Sequence, residues 1–180
     1  MRLFIAVKLN DEIKDHLMKA IDALKCRSSK GNFTHRDNLH LTLVFLGEIG
    51  PERLEDIHSA IDRISGEPFL LMLTGFGRFK RNGGDIHWAG IEKDEMLFKI
   101  QKQLEKELRD AGFSLEDRDY NPHLTLGREV RLKDPSDDIY GSLTESRPEM
   151  TAARISLMKS ERVNGMLTYT EIYGKNLLSR

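Results

Sequence analysis

Cysteine is all but missing from the sequence. Cys26 is the only one, so no internal disulfide can form and a thiolate metal cluster is excluded. Such usage suits a reducing cytoplasm. Long apolar runs are missing as well. The N-terminal stretch MRLFIAVKL stops at Leu9, short of a signal-peptide core, and nothing approaches the ~18 apolar residues of a membrane span. A soluble, cytoplasmic protein with no membrane attachment is expected. The third absence is an excess of either charge. The 28 basic residues face 29 acidic ones, for a formal net charge of −1. That argues against a non-specific duplex binder, which carries a broad positive field. Any contact with nucleic acid should be short and concentrated in one basic pocket.

What is present reads as a globular chain. Its 180 residues, 39% of them hydrophobic and 32% charged, suffice for one domain with a substantial core. Arg2–Leu9 reads as a buried strand, and Asn10 and Asp11 cap a helix whose apolar stripe is Ile13, Leu17, Ala20, Ile21 and Leu24. Ser28–Asn38 reads as a polar loop, Leu39–Leu46 as a second strand. Pro51 opens a second helix along Leu54, Ile57, Ile61 and Ile64, followed by strands at Phe69–Phe76 and Ile86–Ile91. A third helix spans Asp94 to about Ala111 and stops at Gly112. Tyr120–Arg128 contains a strand, and the polar stretch Lys133–Leu143 has room for one or two helical turns. Arg154–Lys159 and Leu167–Tyr173 form a closing hairpin across Asn164-Gly165. The order of elements predicts an α+β fold with mostly antiparallel sheets.

One motif occurs twice. Positions 40–43 and 123–126 both read His-Leu-Thr-Leu, one copy in each half of the chain. Residues two apart on a strand share a face, so His40 and Thr42 point one way and Leu41 and Leu43 the other. His123 and Thr125 stand likewise over Leu124 and Leu126. A lone His-x-Thr on a strand is ordinarily a polar face turned to solvent; two identical copies are harder to dismiss. Cleaving a cyclic phosphodiester needs a base to activate water and an acid to protonate the departing ribose oxygen. Imidazole serves either role near neutral pH. Thr42 and Thr125 can donate to phosphate oxygens without adding charge. No metal is required, and two histidines without a carboxylate at ligand spacing make a thin metal site. His16, His35, His58 and His87 have no repeated context and read as surface or partly buried side chains.

On these residues the sequence resembles the two-histidine (2H) phosphoesterase superfamily, and within it the RNA 2′,3′-cyclic phosphodiesterases historically called 2′-5′ RNA ligases. The matching stretches are RLFIAV at the start, NLHLTLVFLGEIG at 38–50, IHWAG at 86–90 and NPHLTLGR at 121–128, with Ser160, Gly165 and Tyr169 near the end. Tyr120 stands where the family would have Phe. The resemblance implies one domain of two pseudo-symmetric lobes, mostly antiparallel sheet with helices outside and the active cleft between them. The lobes would be interleaved along the chain. It also implies no cofactor and hydrolysis of RNA 2′,3′-cyclic phosphate ends, tRNA fragments among them, to a 2′-phosphate. It assigns His40 as the acid and His123 as the base, a distinction the near-symmetric motifs do not themselves make. It nominates Arg128 as a phosphate ligand. Strict alternation puts Arg128 on the face opposite His123, unless a bulge at Gly127 turns it back. The matching position in the first half is Phe45.

Weaker signals surround this core reading. Arg78, Lys80 and Arg81 with Gly83-Gly84 form a basic loop that suits either an RNA backbone or a solvated hairpin tip. Trp88 can stack on a base, but its alternation with Ile86 favours core packing. Lys102, Lys106 and Arg109 read as a solvated helix face. Three rivals stay open: 2′-5′ ligation by the reverse reaction, hydrolysis of another cyclic nucleotide or a 2′-5′ oligonucleotide, and an RNA-end-binding module without turnover. With no surplus apolar stripe, a monomer is expected.

Overall fold

The computed structural model describes residues 1–134 and 138–178. Nine strands and three α-helices follow in the order β1 (Arg2–Lys8), α1 (Asp11–Cys26), β2 (Ser28–Phe33), β3 (His40–Glu48), α2 (Leu54–Asp62), β4 (Phe69–Phe79), β5 (Asp85–Ile91), α3 (Glu95–Asp110), β6 (His123–Leu132), β7 (Glu149–Ala152), β8 (Arg154–Val163) and β9 (Met166–Asn176). Single 3-10 turns lie at Arg36–Asn38, Pro51–Arg53 and Gly141–Thr144. The last of these is what forms of the helical turns expected in 133–143, of which 135–137 lie outside the described residues.

Local chemistry sets the helix ends. The side chain of Asn10 accepts from the Ile13 amide at 3.0 Å, and that of Asp94 from the Leu97 amide at 2.9 Å, so α1 and α3 both start on a side-chain cap. Gly112, at φ +83, ends α3 in the left-handed conformation that suits glycine. Asn164 at φ 50 and Gly165 at φ 81 make the tight turn between β8 and β9.

The strands form two antiparallel sheets, ordered β3-β1-β8-β9 and β2-β6-β5-β4-β7. Helix α1 packs on the five-stranded sheet through β2 and β6, whereas α2 and α3 pack on the four-stranded sheet through β9 and β3. One continuous apolar core runs under both, joining Leu41 and Leu43 of β3, Leu124 and Leu126 of β6 and the buried stripes of all three helices. Each sheet draws on distant parts of the chain: the C-terminal hairpin completes the sheet of β1 and β3, and β2 joins the other.

Two strands escape the periodicity. Residues 28–33, expected as loop, form β2, and Glu149–Ala152 form β7. Both are edge strands of the five-stranded sheet. An edge strand needs backbone pairing on one side and few apolar side chains, and SSKGNF and EMTA supply no more than that.

Glycine decides where the sheet can bring a large ring close. Trp88, half-buried on β5, lies across Gly77 of β4, where an added Cβ would run into the indole ring. Gly77→Ala should therefore displace the indole and cost about 1–3 kcal/mol. Trp88 is the only tryptophan, so its emission spectrum, recorded through a thermal melt, checks this directly. An unchanged emission maximum with an unchanged melt would place the indole elsewhere.

Candidate active site

Both motif strands begin at their histidine: His40 opens β3 and His123 opens β6. The two strands lie against each other although they belong to different sheets. In each, the alternation anchors the leucines in the core, with Leu41, Leu124 and Leu126 fully buried and Leu43 nearly so.

The imidazoles are held alike. His40 Nδ1 lies 2.7 Å from the carbonyl oxygen of Asn38, and His123 Nδ1 lies 2.8 Å from that of Asn121. A carbonyl only accepts, so Nδ1–H donates in both and Nε2 carries the lone pair of the neutral ring. These anchors sit two residues before each histidine, and both residues are asparagine. The repeat is thus Asn-x-His-Leu-Thr-Leu, and extending the motif two positions upstream would have found them. The Asn38 side chain adds a second tie, donating to the Leu167 carbonyl at 2.8 Å. The sites differ at threonine: the Thr42 hydroxyl lies 2.9 Å from His40 Nε2.

Each imidazole also sits against aromatic rings. Phe4 and Tyr169 pack on His40 at 4.7 and 5.2 Å between ring centres, Tyr169 edge-on. Phe79 and Trp88 pack on His123 at 5.4 and 6.5 Å. Trp88 is paired with Thr125 in register, so it belongs to the cleft face and not to the core, as its alternation with Ile86 had led one to expect. The core-facing residues of β5 are its neighbours His87, Ala89 and Ile91. His87, expected at the surface or partly buried, is only 2% exposed, and its Nδ1 lies 2.9 Å from the Tyr140 hydroxyl. Phe4, Ala6 and Met158, with Tyr169, form a small apolar floor separate from the main core. Beside it a cavity of about 240 Å³ opens between His40, Asn38, Lys8, Tyr169 and Glu171.

A bulge recurs at the same place in both motif strands. In β3, Thr42 pairs with Ala6 and Val44 with Ile5, leaving Leu43 unmatched. In β6, Thr125 pairs with Trp88 and Gly127 with His87, leaving Leu126 unmatched. Consecutive residues then turn inward, Leu43 with Val44 and Leu126 with Gly127, and all four are buried. The residue five after each histidine is rotated out of its expected face: Phe45 in one half, Arg128 in the other. The bulge expected at Gly127 is there and turns Arg128 back; β3 makes the same bulge with Val44, so glycine is not required for it.

Arg128 is exposed, and among the described residues its guanidinium has no hydrogen-bond or ion-pair partner. Its positive charge reaches both imidazoles and Tyr169. Burial pushes the pKa of His40 below that of a free imidazole; the Asn38 carbonyl partly offsets this and Arg128 adds to it. Burial likewise lowers that of His123, against the Asn121 carbonyl and with Arg128 and Arg118. Both shifts favour the neutral ring near pH 7. The basic loop adjoins this half: Phe79 touches His123, while Arg78 pairs with Asp85 at 3.4 Å.

One bond ties the two motifs together. The Tyr120 hydroxyl, three residues before His123, donates to the Thr42 carbonyl at 3.0 Å.

The sequence profile of the 2′-5′ RNA ligase superfamily matches residues 13–164, both motifs included. The chain belongs to this superfamily. An RNA 2′,3′-cyclic phosphodiesterase of Methanothermobacter thermautotrophicus is 33% identical over 178 residues, 96% of each chain. One of Thermotoga maritima is 37% identical over 131 residues, 71% of this chain and 70% of that one. Among solved structures of the fold, a Thermus thermophilus protein at 26% identity has a TM-score of 0.81, with 98% of each chain covered. Escherichia coli LigT, complexed with 3′-AMP, is 24% identical with a TM-score of 0.81, covering 99% of this chain and 98% of that one. The superfamily fold is thus the α+β arrangement of two antiparallel sheets found here.

Imidazole titration by NMR should give both His40 and His123 a pKa below about 6.5. Arg128→Gln removes a positive charge facing both, so both values should rise. Values that ignore the substitution would place the guanidinium outside the cleft. Tyr120→Phe, which restores the residue expected of the family, should cost about 1 kcal/mol in chemical denaturation through the lost bond to Thr42.

Proposed function

We propose that this superfamily member hydrolyses 2′,3′-cyclic phosphate ends of RNA to 2′-phosphates, with His40 and His123 as its acid–base pair. The observation that carries the reading is the shared cleft: two imidazoles, each fixed through Nδ1 to a backbone carbonyl, under the charge of Arg128. The relatives named RNA 2′,3′-cyclic phosphodiesterase support the substrate.

The chemistry follows from the Nε2 atoms, that of His40 shared with the Thr42 hydroxyl until substrate takes its place. His123, neutral, takes a proton from water as the water oxygen bonds to phosphorus. The bond from phosphorus to O3′ breaks, and His40, as imidazolium, gives its Nε2 proton to that oxygen. The product carries a 2′-phosphate and a 3′-hydroxyl. Burial keeps the base neutral. The anionic phosphate, once bound, favours the imidazolium that the acid needs. Thr42 and Thr125 donate hydroxyls to the non-bridging oxygens, and Arg128 grips them with a fork of N–H donors. We place this activity in a monomeric, single-domain protein of the cytoplasm that acts on RNA ends such as those of tRNA fragments.

A short RNA ending in 2′,3′-cyclic phosphate, incubated in EDTA, should be converted to the 2′-phosphate. His40→Ala and His123→Ala should each lower the rate by roughly 10²–10⁴, the usual contribution of one acid or base, without loss of folding. Turnover that survives either substitution in a folded variant would remove that histidine from the chemistry.

A further inference from the structure

The recurring bulge delivers two residues to the cleft, and hydrolysis at the cyclic phosphate uses only one of them. Arg128 faces both imidazoles. Phe45, its counterpart, is left 39% exposed on the edge strand β3. It is not bare: the Arg2 guanidinium lies over its ring, 5.1 Å from the centre. Arg2 shares the cleft face of β1 with Phe4, which packs on His40, and its charge reaches Tyr169. Glu48 stands opposite Arg2 on β3, yet among the described residues the guanidinium makes no ion pair or hydrogen bond.

A guanidinium stacked on an aromatic ring, without an acidic partner among the described residues, suits a base stacked beside it and joined to a phosphate. The spacing places it beyond the reacting nucleotide. His40 pairs with Lys8 and Phe45 with Phe4, so four residues of β1, roughly 13 Å of strand, separate the two positions. With a net charge of −1 over the whole chain, electrostatic attraction of RNA rests on local cationic groups.

We propose that Phe45 and Arg2 form a subsite for the penultimate nucleotide of the RNA. Phe45 stacks on its base, and Arg2 holds the phosphodiester that joins it to the terminal nucleotide. The subsite makes the enzyme prefer an RNA end over a free cyclic mononucleotide. It rests on the cyclic-phosphate reading above and adds a length requirement to it.

The test compares kcat/KM for a nucleoside 2′,3′-cyclic monophosphate with that for a dinucleotide ending in the same cyclic phosphate. Wild type should favour the dinucleotide. Phe45→Ala and Phe45→Leu should shrink that ratio by roughly 5- to 140-fold, the equivalent of ~1–3 kcal/mol of base stacking, mostly through KM of the dinucleotide. Phe45→Trp should keep the ratio, and Arg2→Gln should shrink it in a salt-dependent way. Wild type that hydrolyses both substrates equally well overturns the subsite and leaves the hydrolase reading standing. So does a ratio that the Phe45 variants do not move. Wild type that hydrolyses neither overturns the hydrolase reading, and the subsite with it.

Discussion

The site depends on β3 being held against β6, since the two histidine strands belong to different sheets and share no ladder. The apolar part of that hold is the layer of leucines beneath each motif, continuous through one core. The polar part is the Tyr120 hydroxyl on the Thr42 carbonyl. As an edge strand, β3 has carbonyls without a strand partner, and an unpaired buried carbonyl is costly. Tyr120 satisfies one of them and fixes the approach of the second motif to the first. Burial pushes its pKa up, so the hydroxyl stays a donor across the whole pH range of interest.

Holding the imidazoles still is the next requirement, and the backbone does it. Each Nδ1 donates to a carbonyl two residues upstream, which fixes tautomer and ring plane without introducing a carboxylate. A carboxylate partner would raise the imidazole pKa and repel the phosphate; the carbonyl does so far less. The aromatic rings then remove water from around each imidazole, and desolvation together with Arg128 favours the neutral form of both. In the proposed mechanism, acid and base are separated by the substrate's charge more than by the protein's own asymmetry, of which the Thr42–His40 contact is the visible part.

Much of this was legible in the residues. The three helices, their caps and the closing hairpin followed from periodicity and turn chemistry, which depend on neighbours a few positions away. The paired motifs could be read because a two-residue alternation over leucines needs no knowledge of the partner strand. The edge strands β2 and β7 were not legible, because pairing with a distant strand, not their own side chains, makes them strands. Trp88 and His87 were assigned to the wrong faces or depths for a related reason: registers between distant strands set which residue of β5 faces β6.

By itself, then, the sequence determined that two identical polar faces would stand over two apolar anchors, and that imidazole and hydroxyl would be the groups displayed. Tertiary structure decided what those faces see. Unmatched residues at Leu43 and Leu126 exist only relative to the strands beside them, and they alone bring Phe45 and Arg128 round to the cleft. A bulge is a mismatch between two chains' hydrogen-bond registers. No single strand's sequence contains that quantity, so Gly127 could suggest a bulge, but only the assembled sheets establish it and its counterpart in β3.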